Sequence, residues 1–148
     1  KLIDDAPEHD VLRQVKVAEC LNSQYHVLRA NDTIKTVIQL VEDLAVRDDV
    51  FPVLDGNGKL LGIVHLEKVL AAMLNPHIHD LLLIFDLMDP PLGILSPDDD
   101  LVKAMNSFDK YNLRYLPVCA KTGKFNGFVE RTPIFARYRR MISETESL

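Results

Sequence analysis

The sequence predicts an α/β fold, of the α+β kind, made of two copies of one small β-α-β-β-α unit. Phe51-Pro-Val-Leu-Asp-Gly-Asn-Gly-Lys-Leu-Leu-Gly-Ile-Val returns as Leu116-Pro-Val-Cys-Ala-Lys-Thr-Gly-Lys-Phe-Asn-Gly-Phe-Val. A helical stripe precedes each copy, formed by Ile34, Val37, Ile38 and Val41 and again by Leu101, Ala104, Met105 and Phe108. Each copy alone would have a marginal core, so we expect the two to pack together with pseudo-two-fold symmetry, each as a small sheet with two helices.

The elements of the first copy follow from periodicity and turn chemistry. Asn31-Asp-Thr supplies capping side chains for a helix whose apolar residues lie three and four apart. Asp55-Gly-Asn-Gly is a hairpin turn that needs positive φ, and it joins two apolar runs. The predicted order is a strand at 25–28, a helix at 34–46, strands at 51–54 and 60–65, and a helix at 66–74.

The second copy repeats this order. We expect a strand near 93–95, a helix over 100–111, a hairpin through 121–124 and a last helix over 133–141, with Pro133 in its first turn. The predicted organisation is a linker at 1–16, a first repeat at 17–74, a connector at 75–83, a second repeat at 84–142 and a tail at 143–148.

Composition excludes several classes of protein. The formal charge of −5 argues against a nucleic-acid backbone as partner, because such binding depends on clustered Lys and Arg. Cys20 and Cys119 fit no metal spacing or disulfide framework, so a reducing compartment is expected. The apolar run at 81–85 is far shorter than the roughly 20 residues of a membrane helix. Because Lys1 is not a natural start, we expect a fragment of a longer protein.

The doubled Pro-Val, turn and Gly-hydrophobic-hydrophobic signature over about 17–141 resembles the CBS domain pair, also called a Bateman module. Four segments are similar to the pair that follows the membrane domain of bacterial ClC-type chloride channels and antiporters: Asp86-Leu-Met-Asp-Pro-Pro, Asn112-Leu-Arg-Tyr-Leu-Pro-Val, Gly123-Lys-Phe-Asn-Gly-Phe-Val and Ile134-Phe-Ala-Arg-Tyr-Arg. The resemblance implies a non-enzymatic regulatory module of a voltage-gated chloride channel or a Cl−/H+ antiporter. It implies a homodimer formed through helices such as 66–74 and 134–141, on the cytoplasmic side of the membrane beside the parent's membrane domain.

CBS pairs often hold ATP, ADP or AMP between the repeats, with a ribose-binding acid in the pattern Gly-hydrophobic-hydrophobic-Thr/Ser-x-x-Asp. Here the acid positions are Lys68 and Pro133, and Glu67 lies one residue early, about 100° away around a helix. Loss of one charge-assisted hydrogen bond, about 1.5–3 kcal/mol, weakens binding by about one to two decades. The residues that match the nucleotide cleft of the family are Tyr25, His26, His65, Lys68, Glu130 and Pro133.

Three of these residues also have a structural interpretation. Lys68 is either a phosphate ligand or an ordinary exposed lysine, and His65 is either a hydrogen-bonding group of the cleft or a packed histidine. Tyr25 either contacts adenine or covers the core with its polar tip in water.

Other polar clusters indicate structure more than chemistry. His77, His79 and Asp80 supply at most a partial metal shell, so no metal site is predicted. The acids at 98–100 precede an apolar helix and are expected to cap it. Arginines at 131, 137, 139 and 140 form either a solvated helix face or a contact with acidic lipid. No nucleophile or acid–base set is present, so three hypotheses remain: a ClC-type regulatory module, a nucleotide sensor of another protein, and a dimerisation domain without ligand.

Overall fold

Each repeat contributes one two-stranded sheet, as the sequence predicts. A computed structural model describes the backbone of residues 9–146 and the side chains of residues 10–144; residues 1–8 of the predicted linker and 147–148 of the predicted tail lie outside the described residues. The helices are α1 (His9–Leu12), α2 (Ile34–Glu42), α3 (Leu66–Met73), α4 (Ile84–Leu87), α5 (Leu101–Tyr111) and α6 (Arg131–Glu146). The strands are β1 (Val50–Leu54), β2 (Leu60–His65), β3 (Tyr115–Cys119) and β4 (Phe125–Glu130), and 3-10 turns lie at Val17–Cys20 and Pro76–Ile78.

The described chain divides into two compact units whose limits cross the repeats. The first-repeat unit contains residues 24–91 and 123–125, and the second-repeat unit contains residues 9–23, 92–122 and 126–146. Each unit has its own apolar core. That of the first-repeat unit includes Phe51, Val64 and Ile84, and that of the second includes Phe108, Leu116 and Ile134.

In the first-repeat unit, β1 and β2 pair antiparallel from Val50 opposite His65 to Leu54 opposite Leu60. The hairpin between them is the predicted turn, with Gly58 at a φ of 81°. The Asp55 carboxylate accepts hydrogen bonds from the backbone N–H groups of Asn57 and Lys59, at 2.8 and 3.0 Å. These bonds, that of Lys59 foremost, hold the pKa of Asp55 below its usual range because they favour the charged form.

Two further segments complete this sheet through single bridges. Leu28 lies parallel to Val53 on one side, and Asp89 lies antiparallel to Ile63 on the other. The strand predicted at 25–28 is therefore reduced to a bridge at Leu28, because the His26 N–H donates to the Asp48 carboxylate and not to a neighbouring strand.

The second-repeat unit repeats this arrangement around β3 and β4. Leu95 lies parallel to Val118, and Asn22 lies antiparallel to Phe128. In both units, therefore, the outer bridge is made by a short segment from the start of the other repeat. A glycine next to the bridge permits the close approach in each case: a Cβ at Gly62 would lie 2.9 Å from the Asp89 carbonyl oxygen, and one at Gly127 would overlap the Asn22 carbonyl.

Three helix ends differ from the prediction by two residues or more, and one of them is the end of α6, which lies at Glu146 and not at Met141. Helix α2 ends at Glu42 and not at Val46, because Asp43 adopts an extended backbone and its carboxylate accepts the Ala45 N–H at 2.9 Å. Helix α6 begins at Arg131, two residues earlier than predicted. Pro133 still lies in its first turn, where a proline removes no intrahelical hydrogen bond.

No helix within residues 9–146 combines the length and the hydrophobicity that crossing a bilayer requires.

Candidate functional site

His65, Lys68 and Asp89 form a polar cluster at the start of α3. Strand β2 runs directly into this helix: His65 is the last residue of the strand and also the N-cap of α3. The helix start is held in place by the Leu66 N–H, which donates to the Asp49 carbonyl at 2.9 Å, and by Val69, which is buried. Lys68 therefore lies in the first turn of the helix with its side chain exposed.

Asp89 is the residue that the sequence analysis did not identify. The ammonium group of Lys68 lies 2.7 Å from Asp89 Oδ1, and His65 Nε2 lies 4.0 Å from Asp89 Oδ2. The exposed fraction of the side chain is 46% for Lys68, 40% for Asp89 and 35% for His65. At this exposure the ion pair itself adds at most about 1 kcal/mol to stability. The ion pair matters because it places a carboxylate against Lys68, the one lysine among the predicted site residues.

The backbone fixes Asp89 in this position. Its N–H and carbonyl both bond to Ile63, at 2.8 and 2.9 Å, which seats the residue beside the end of β2. The following residue is Pro90, which biases Asp89 toward an extended conformation. That bias could have predicted a strand at Asp89, but not its partner.

His26 contacts a different carboxylate, that of Asp48, and its neighbour Tyr25 makes a separate contact. His26 donates its backbone N–H to Asp48 Oδ2 at 2.8 Å, and its Nδ1 lies 3.2 Å from both carboxylate oxygens. The Asp48 side chain is only 10% exposed, so this contact ties the segment before Leu28 to the loop before β1. Tyr25 is half-buried and makes a polar or ring contact of its own. The described bonds of His26 favour its structural role.

Glu130 and Pro133 lie in the second-repeat unit, at the end of β4 and in the first turn of α6. Because Phe128 pairs with Asn22 as Ile63 pairs with Asp89, the counterparts of His65, Lys68 and Asp89 here are Glu130, Pro133 and Asn22. This counterpart set contains an acid and no lysine. A lysine at the position of the ribose-binding acid is thus a feature of the first-repeat unit. The cleft that would join all six residues stays a prediction.

A leucine surface lies on the same helix of the first-repeat unit. Leu66, Leu70 and Leu74 repeat at four-residue intervals along α3 and its C-cap, and Leu70 and Leu74 are 47% and 82% exposed. A concavity of about 610 Å³ adjoins them, and its lining consists of Val41, Asp43, Leu44, Val46, Arg47, Asp48, Asp49, Leu66 and Leu70.

The remaining polar clusters have structural roles. Nε2 of His79 lies 3.0 Å from the Ala72 carbonyl near the end of α3, and no group of three or more His, Cys, Asp or Glu residues suited to a metal ion exists in the described part of the chain. Arg131 donates to the Phe108 carbonyl at 3.2 Å, and Arg137 lies 3.9 Å from Glu19. The predicted arginine surface is thereby reduced to Arg139 and Arg140, which are exposed.

Asp100 caps helix α5, as predicted, since its Oδ1 accepts the Lys103 N–H at 2.9 Å. We expect Asp100→Ala to lower the free energy of unfolding by about 1 kcal/mol. Thr33 is the N-cap of α2 but makes no such side-chain bond, so Thr33→Ala is the matched control and is expected to change it less. Urea unfolding followed by circular dichroism measures both variants, and equal losses would contradict the assignment of the cap.

Comparison with known families decides what this fold is. The model of the CBS domain matches residues 17–75 and again residues 84–132. The chain belongs to the CBS domain family. CBS pairs are regulatory modules rather than catalytic domains, and they commonly dimerise and bind adenine nucleotides. No curated protein matches this CBS pair.

Solved structures similar to this CBS pair share its fold. CBSX2 in complex with AMP is 24% identical, with a TM-score of 0.69, over 86% of this chain and 98% of that chain. The cytosolic domain of the Mg²⁺ channel MgtE in complex with ATP is 19% identical, with a TM-score of 0.72, over 84% of this chain and 49% of that chain. The CBS domain of a membrane protein from Sphaerobacter thermophilus is 21% identical, with a TM-score of 0.68, over 87% of this chain and 91% of that chain. None of these bears on the ClC-type resemblance.

Proposed function

We propose that this CBS pair is the cytoplasmic regulatory module of a ClC-type chloride channel or antiporter, and that it acts as a homodimer. The observation that carries the dimer is the exposed leucine surface of α3. The ClC assignment is supported by the four sequence segments that resemble the ClC-associated pair.

The leucine surface consists of Leu66, Leu70, Leu74 and the neighbouring Leu44, which is 91% exposed. Residues four apart share one face of a helix, while Val69 and Ala72 are buried on the other. Full burial of an exposed leucine is worth about 1.5–3 kcal/mol, so two such surfaces in contact provide a substantial driving force. Soluble proteins that expose contiguous apolar patches usually use them as interfaces.

Light scattering tests the homodimer. We expect the wild-type CBS pair to have the mass of two chains at micromolar concentration. The double variant Leu70→Glu with Leu74→Glu is expected to have the mass of one, because four carboxylates would be buried together across a symmetric contact. Leu81→Glu is the control, since Leu81 is also exposed, at 73%, but lies in the connector and off the helix. A wild-type monomer, or an α3 variant that still dimerises, would contradict the proposal.

A second candidate function is the sensing of adenine nucleotides. It is favoured by Lys68 and His65 at the start of α3, where the pattern of the family places nucleotide-binding groups, and by the AMP and ATP in two similar structures. The ribose acid is absent from both repeats, because Lys68 and Pro133 occupy its positions and Glu67 is displaced around the helix. We therefore expect weak binding, dominated by phosphate.

Isothermal titration with ATP, ADP, AMP and adenosine tests this second function. Binding that strengthens with the number of phosphates and is lost in Lys68→Ala would support nucleotide sensing through the lysine. If no ligand binds at millimolar concentration, the nucleotide function is wrong and the module is a dimeric scaffold without an adenine ligand.

A further inference from the structure

We propose that Asp89 limits the binding of phosphate groups at the start of α3. The Asp89 carboxylate forms an ion pair with the Lys68 ammonium group. A phosphate group must therefore displace Asp89 before it can contact the lysine. The inference rests on the second candidate function in one respect: it takes phosphate-bearing molecules as the ligands of this site.

The ion pair is short and its acid is held by the main chain. Lys68 Nζ lies 2.7 Å from Asp89 Oδ1, the separation of a charge-assisted hydrogen bond. Both backbone groups of Asp89 are bonded to Ile63, and Pro90 follows. A surface acid on a mobile loop would move away from an arriving phosphate at little cost, but Asp89 can withdraw only by rotating its side chain.

The charges at the site explain why this competition matters. Lys68 contributes one positive charge and Asp89 one negative charge, so with His65 neutral the cluster has no net charge toward an incoming polyphosphate. The retained carboxylate would lie within a few ångströms of the phosphate oxygens and repel them. Replacement of Asp89 by a neutral residue of the same shape leaves the lysine charge uncompensated and removes this repulsion.

The second-repeat unit supplies the neutral counterpart. Asn22 pairs with Phe128 as Asp89 pairs with Ile63, so an asparagine already occupies the corresponding bridge position of the same fold. Asp89→Asn therefore introduces a residue that this backbone arrangement accepts, and we expect the variant to fold with an unfolding midpoint close to that of the wild type.

Glu67 provides the matched control. It lies beside Lys68 in the first turn of α3 and is exposed. Glu67→Gln also removes one negative charge next to Lys68, but it leaves the ion pair between Lys68 and Asp89 in place. A general change in electrostatic potential would act in both variants, whereas release of Lys68 acts only in Asp89→Asn.

The experiment is isothermal titration of the whole CBS pair with tripolyphosphate, ATP and adenosine at constant ionic strength. We expect Asp89→Asn to bind tripolyphosphate and ATP about tenfold more tightly than the wild type. Glu67→Gln should stay within about twofold of the wild type, and adding Lys68→Ala to Asp89→Asn should abolish the gain. Adenosine, which lacks phosphate, should be unaffected by Asp89→Asn.

The outcomes separate this inference from the nucleotide function. A gain for tripolyphosphate without any binding of ATP would support the role of Asp89 and reject nucleotide sensing. Equal gains in Asp89→Asn and Glu67→Gln would overturn the inference, as would a folded Asp89→Asn variant that binds neither anion better than the wild type. The homodimer is tested independently by light scattering.

Discussion

Gly127→Ala is expected to lower the free energy of unfolding by about 2–6 kcal/mol. Gly127 has a φ of 148°, which L-residues rarely adopt, and an added Cβ would overlap the backbone carbonyl of Asn22. The strained backbone and the overlap cost about 1–3 kcal/mol each. To relieve the overlap, Asn22 would have to move away from Phe128. This would break their two mutual backbone hydrogen bonds, of 3.0 and 2.9 Å, which attach the Asn22 segment to the sheet of the second-repeat unit.

Gly56→Ala is the control for this substitution. A Cβ at Gly56 would meet nothing within 4 Å, and its backbone does not have positive φ. We expect its free energy of unfolding to stay within about 1 kcal/mol of the wild type. Urea titration followed by circular dichroism measures both. If Gly127→Ala were no less stable than Gly56→Ala, the close approach of the Asn22 segment to β4 would be wrong.

Phe108→Ala is expected to lower the free energy of unfolding by about 3–5 kcal/mol, the usual cost of a large cavity in a packed core. Phe108 is fully buried on α5, and its ring contacts that of Phe135 on α6 edge-on, with centroids 6.5 Å apart. Its backbone carbonyl accepts the Arg131 guanidinium. The substitution thus leaves a void between the two helices of the second-repeat unit.

Phe85→Ala is the matched control, because Phe85 is 62% exposed on α4. Its loss should change the free energy of unfolding by less than about 1 kcal/mol. Thermal and urea unfolding of both variants make the comparison. A cost for Phe85→Ala that equals the cost for Phe108→Ala would show that Phe108 does not belong to the core as described.

The sequence predicted those parts of the fold whose signals are local. The hairpin turn at Asp55, the capping role of Asp100 and the apolar stripe of α5 each depend on residues a few positions apart. Helix α2 ended early because the Asp43 side chain competes for a backbone N–H, an interaction that apolar periodicity does not reveal.

The outer bridges of the two sheets could not be predicted in the same way. Asn22 and Asp89 pair with strands through single bridges, and neither lies in a segment with strand periodicity. The repeat does contain the relevant signal in Gly62 and Gly127, which are equivalent in the two copies. A glycine inside an apolar strand often marks the close approach of another backbone.

For the candidate site, the sequence predicted His65 and Lys68 but not Asp89, whose carboxylate lies near both. Lys68 and Asp89 are 21 residues apart, and their contact depends on the register of the bridge between Ile63 and Asp89. A one-residue change in that register would turn the carboxylate to the other face of the sheet. Only the folded chain shows that the lysine of the predicted site is already paired.

The most direct test of the proposed regulatory module is chloride efflux from liposomes that contain the full-length parent protein, which we propose to be of the ClC type. The wild type is compared with the Leu70→Glu and Leu74→Glu double variant, and Leu81→Glu serves as control. Because a regulatory module acts only by stabilising one arrangement over another, we expect loss of the α3 contact to change the efflux rate several-fold while Leu81→Glu does not. An efflux rate that stays at the wild-type value after the modules have separated would contradict the proposed function.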